Sequence, residues 1–188
     1  MHGFHSELLI DSGRHDEALK VAESLVKRHS TSYTTFIFAQ TLLSMPADEN
    51  GKRPHYEAGL AELKKSVAMD IPSPEAWRLL TNTYRKANDF TEALAANAME
   101  IEAVSGLPCC FANAYWHRAM LQREKGDDKQ ALADATDIVK WALKYGVADE
   151  LVRPMVNAGY LASGHNLQQF DAPMENALAA CLLDPNCQ

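Results

Sequence analysis

The chain has 188 residues, 47% of them apolar and 23% charged, with a net charge of −7 and a pI near 5.5. Those values suit one or two ordinary folded domains or one short solenoid. The acidic balance argues against a general nucleic-acid binder and against a surface drawn to anionic lipid.

The longest apolar run, FIFAQTLL, is far shorter than the roughly 20 residues that span a bilayer. The N-terminus lacks a basic start followed by an apolar core, so neither a signal peptide nor direct membrane insertion is expected. A soluble chain is the expectation. The cytoplasm is favoured, and the periplasm stays open if the chain is part of a longer exported protein.

In residues 1–30, SGRHDEALKVAESLVKRH reads as a turn at Gly13 followed by a helix. Ala18, Val21, Ala22, Leu25 and Val26 form its apolar face. Counted back from Gly13, a preceding helix of full length would begin before Met1. A truncated first hairpin is therefore expected, as in a chain cut from a longer solenoid. In residues 31–72, SYTTFIFAQTLL is a first helix with Phe36, Ala39, Gln40 and Leu43 on one face. The loop SMPADENGKRP interrupts, and a second helix resumes at His55 and carries Gly59, Leu60, Leu63 and Val67.

Residues 73–106 hold the clearest unit, PEAWRLLTNTYRKANDFTEALAANAMEIEAVS. Its opening Pro is a good helix start. Trp77, Leu80, Thr81 and Tyr84 share a face, Asn88-Asp89 turns the chain, and Phe90, Ala93, Leu94, Ala98 and Ile101 form the inner side of the second helix. In residues 107–145, Ala114, Tyr115, Ala119 and Gln122 lie on a first helix. Gly126-Asp127-Asp128 turns, and Ala131, Leu132, Ala135 and Ile138 follow. Residues 146–188 read as a degenerate hairpin, with Pro154 marking a late start or a kink.

The small residues of the second helices, Ala18, Gly59, Ala93 and Ala131, are successively 41, 34 and 38 residues apart. The longer steps contain the visible loop insertions. Trp77-x2-Leu80-Thr81-x2-Tyr84 followed by Ala93-x3-Asn97 resembles the tetratricopeptide repeat, with its pattern W-x2-L-G-x2-Y…A-x3-F…P and its period of about 34. Thr81 replaces the usual small residue, Asn97 an aromatic, and Ser105 the terminal Pro. The resemblance implies an all-α, right-handed superhelical solenoid of about five antiparallel hairpins, the first truncated and the last degenerate. It would fill residues 1–188.

The resemblance also implies that the first helices line a concave groove for a peptide segment or partner protein. The residues just off their packing stripes are Thr34, Ile37 and Thr41, then Glu75, Arg78, Asn82 and Arg85, then Asn113, Trp116, Met120 and Arg123 with His117 beside them. Arginine can fork two hydrogen bonds to a carboxylate, and an indole can pack an anchor side chain. Arg78, Asn82, Arg85, Asn113, Trp116, His117, Met120 and Arg123 are accordingly the candidate site, suited to an acidic or carboxylate-terminated peptide. Arg78 and Asn82 also stand where tetratricopeptide proteins that grip a C-terminal carboxylate carry a Lys and an Asn. Pairing of these arginines with Glu75 or Glu124 is the plain alternative.

Cys109 and Cys110 are adjacent and lack the two-residue gap of a zinc site. Cys110 and Cys181 read as small buried residues, and a Cys181–Cys187 disulfide would form only in an oxidising compartment. No nucleophile–base set, phosphate loop or carboxylate pair sits in a context that supports catalysis, so no enzyme, cofactor or metal is expected. The non-catalytic repeat region of a larger enzyme, such as a transferase, and a self-associating scaffold remain as alternative readings.

Overall fold

The described chain is built from helices α1 (His2–Asp11), α2 (His15–Arg28), α3 (Ser32–Ser44), α4 (Tyr56–Val67), α5 (Pro74–Lys86), α6 (Phe90–Ala103) and α7 (Pro108–Lys125). Helical turns resume at Asp128. The structure, a computed structural model, describes residues 2–105, 108–131, 133, 134 and 137; within these, side chains are described for 5–105 and from 114 onward. Among the described residues there is no strand. The expected hairpin at 146–188 with Cys181 and Cys187, most of the second helix of the hairpin before it, and the side chains of Cys109, Cys110 and Asn113 lie outside them.

Local chemistry explains where the helices begin and end. Thr31 caps α3 by accepting from Thr34 N at 3.2 Å, while Thr34 Oγ1 accepts from Thr31 N at 3.0 Å, a reciprocal box that satisfies two otherwise unpaired N–H groups. Ser73 accepts from Ala76 N ahead of Pro74, and Asp89 accepts from Glu92 N. Gly13 has φ +73 and Gly126 φ +93. At both, the glycine N–H bonds three residues back and the following N–H five residues back. This is the left-handed ending that closes α1 and α7.

The chain divides into two units, Met1–Ala87 and Asn88–Gln188. In the first, α3 is central. It packs against α1, α2, α4 and α5, and Ser32, Thr34, Thr35, Phe36, Ile37, Ala39, Thr41 and Leu42 are all buried. Thr41 donates to the Ile37 carbonyl at 2.8 Å and shares a hydrogen bond with Ser6 of α1 at 3.0 Å. Ser32 and Ser66 donate to each other's carbonyls at 3.1 and 2.8 Å, tying α3 to α4. These bonds offset the cost of taking the hydroxyls out of water.

The first hairpin has the short first helix that truncation implies: α1 has 10 residues against 13 in α3 and α5, shorter by about one turn. One expectation needs correction in this unit. Thr34, Ile37 and Thr41 do not face a groove. All three are buried, Thr41 bonded to Ser6 of α1 and Thr34 with its hydroxyl donated to the His29 carbonyl.

Gly59 sets the closeness of α3 and α4. A methyl group there would lie 2.8 Å from Leu43 Cγ and 3.1 Å from Leu42 Cβ. Alanine would gain about 1 kcal/mol in helix propensity, but Leu42 Cβ is fixed to the backbone, so α3 itself must move, at a typical cost of 1–3 kcal/mol. Gly59→Ala should therefore lower stability by about 1 kcal/mol. The urea midpoint measures it, and an unchanged or raised midpoint would show that the two helices have room.

In the second unit α6 packs against α7. The buried face of α6 is Ala93, Ala96, Asn97 and Glu100, continued by Val104. Ala98, expected inside, is exposed. The face is rotated because two polar residues, Asn97 and Glu100, are buried with partners, which apolar periodicity does not register.

Candidate peptide-binding face

On α5, residues 75, 78, 82 and 85 follow three- and four-residue steps and so share one side of the helix. Leu80 and Thr81, on the packing side, are 4% and 1% exposed. Glu75 is exposed, while Arg78, Asn82 and Arg85 are half-buried. Arg78 and Asn82 have no side-chain hydrogen bond or ion pair among the described residues; Arg85 is already engaged in an interaction. A guanidinium fork and an amide with both donor and acceptor are thus presented one helical turn apart.

On α7, Trp116, Met120 and Arg123 share a side by the same spacing and are half-buried. His117 packs its ring against Trp116, with centroids 5.1 Å apart and planes tilted by 49°. The indole N–H of Trp116 is buried and finds no hydrogen-bond partner among the described residues. His117 is only 15% exposed and its Nδ1 lies 3.8 Å from Glu100 Oε1, so its nearest charged neighbour is internal. The α5 and α7 sets belong to different units.

Three polar features of the second unit escaped the sequence reading. Asn97, fully buried, donates to the Ala114 carbonyl of α7 at 3.0 Å and to Glu100 Oε2 at 3.1 Å. Glu100 is 4% exposed, held by Asn97 and beside His117. Arg118 donates to the fully buried Asp134 at 2.7 Å, Gln130 adds a bond at 3.2 Å, and the guanidinium lies 4.3 Å above the Tyr115 ring. A signal for this pair was present. Moved back by the 38 residues that separate Ala131 from Ala93, Arg118 falls on Leu80 and Asp134 on Ala96. Two positions thus change from apolar to opposite charges together.

Among the described residues, no helix is long and apolar enough to cross a membrane, and no three His, Cys, Asp or Glu side chains gather as a metal-binding group. No protein-family model and no curated protein matches the chain.

Proposed function

We propose that the chain is a non-catalytic interaction module: a right-handed solenoid of tetratricopeptide-like hairpins whose first helices line a groove for a peptide segment or partner protein. The packing in the first unit supports the repeat arrangement. Each helix packs on the next in sequence, and α3 also neighbours α1 and α5 directly. A stack of hairpins has that adjacency, because equivalent helices of successive repeats lie side by side.

The observation that carries the binding reading is the outer side of α5. Arg78 and Asn82 reach it without a polar partner among the described residues, although the chain holds 25 acidic residues against 18 basic ones. An arginine and an asparagine one turn apart can take a carboxylate and a peptide amide together. The ligand this favours is an acidic segment or a chain ending in a free carboxylate.

Fluorescence anisotropy with labelled acidic peptides, each made with a free and an amidated C-terminus, tests the reading. The free-acid peptides should bind more tightly. Arg78→Ala with Asn82→Ala should weaken them at least tenfold, since a hydrogen bond to a charged group contributes about 1.5–3 kcal/mol. Equal dissociation constants for wild type and the double variant would exclude α5 as the binding face.

A further inference from the structure

A separate cavity of about 340 Å³ opens between α1 and α2, on other helices than the α5 face. Its size falls within the range of small-molecule sites. Two adjacent rows of α2 build it. Lys20, Ser24 and Arg28 stand one above another at four-residue spacing, and Val21, Leu25 and His29 form the next row. His5 enters from α1. Val21 and Leu25 are half-buried and form an apolar floor, while the polar groups are exposed at the rim.

Among the described residues no carboxylate lines this cavity, although the chain is acidic. Two nearby acids are paired with other bases. Arg14 binds both oxygens of Glu17, Nε to Oε1 at 2.8 Å and Nη2 to Oε2 at 2.5 Å. That hydrogen-bonded guanidinium, with smaller attractions from Lys20 and His5, holds the Glu17 carboxyl down. Glu23 pairs with Lys27 at 3.8 Å. The bases of α2 and its approach therefore divide: those away from the cavity are paired, whereas Lys20 and Arg28 have no ion-pair partner among the described residues.

We propose that this cavity binds a small phosphate monoester. Its phosphate would lie between Lys20, Arg28 and the two imidazoles, and its apolar body would rest on Val21 and Leu25. A phosphate carries a charge of about −1.5 to −2 and three strong acceptors, which suits two permanent cations together with Ser24, His5 and His29 as further donors. A carboxylate, with one charge and two acceptor oxygens, would leave a cation and several donors unused.

Isothermal titration of the full chain with phenyl phosphate tests the proposal, with inorganic phosphate and benzyl alcohol as the charge-only and body-only probes. One saturable phenyl phosphate site is expected, weaker binding of inorganic phosphate, and no binding of the alcohol. Lys20→Gln with Arg28→Gln should weaken phenyl phosphate at least tenfold, and Lys27→Gln should leave it unchanged. Ser24→Glu, which puts a carboxylate at an exposed rim position, should abolish binding while circular dichroism shows the helices intact. Absence of saturable binding, or equal affinity in the Lys20/Arg28 variant, would overturn the proposal. So would inorganic phosphate binding as tightly as the ester. Sedimentation showing a dimer that the same double variant dissolves would mean that a second copy covers the cavity, and would also overturn it.

Discussion

Replacing Arg118 with leucine should destabilise the second unit by about 3 kcal/mol, and adding Asp134→Ala should recover most of that loss. The single change leaves a fully buried carboxylate whose remaining described partner is Gln130, bonded at 3.2 Å. Breaking one side of a buried pair is costly because the other charge stays out of water; replacing both sides by apolar groups is often neutral. The double variant reproduces the residues at the corresponding positions of the preceding hairpin, Leu80 and Ala96, each 4% exposed. Hydrogen exchange of the α6 and α7 amides, which reports local opening, measures Arg118→Leu, Asp134→Ala and the double variant. Losses that simply add in the double variant would show that the two charges do not act as a pair.

A comparable loss, about 2–3 kcal/mol, is expected for Asn97→Leu, even though leucine is what the previous hairpin holds there. Leu63, 34 residues earlier, is fully buried, as is Asn97. The surroundings differ: at the position equivalent to Glu100 that hairpin has Ser66, which bonds the Ser32 carbonyl. In the second unit, leucine at 97 would remove the donor to the Ala114 carbonyl and to Glu100 at once. A buried carboxylate that loses a donor carries a desolvation penalty. The loss should shrink when Asn97→Leu is made in a Glu100→Gln background, where no charge remains to be stranded. A double-mutant cycle by urea denaturation checks this. If Asn97→Leu were stabilising, Glu100 would have to be solvated.

Much of the helical layout was legible because it depends on local rules. Gly13 and Gly126 mark turns by their left-handed backbone, Pro74 opens α5 behind a serine cap, and Gly59 occupies the contact its spacing indicated. The apolar stripe of α5 placed Leu80 and Thr81 inside, where they are. What could not be read came from tertiary context. Thr34, Ile37 and Thr41 look like a surface stripe, but all three are buried, and Ser6 of α1 gives Thr41 a partner 35 residues away. Asn97, Glu100 and Asp134 look like surface residues by type, yet each is buried with a partner on another turn or element. Hydrophobic periodicity assigns such residues outward, so it placed Ala93 inside correctly but missed Asn97 and Glu100 and set the exposed Ala98 there.

For the candidate site, the sequence indicated which residues share a helix side. It did not indicate their partners: among the described residues Arg78 and Asn82 have none, Arg85 is engaged, and His117 lies beside Glu100.

The central claim, that the outer side of α5 recruits a partner, is tested most directly by quantitative capture from cell extract. The bait is either the wild-type chain or the Arg78→Ala/Asn82→Ala variant, with equal thermal stability of the two verified first. The account predicts at least one protein retained by wild type, lost from the variant, and displaced by a peptide copied from that protein's own acidic or C-terminal segment. Identical captured sets, in identical amounts, would contradict it.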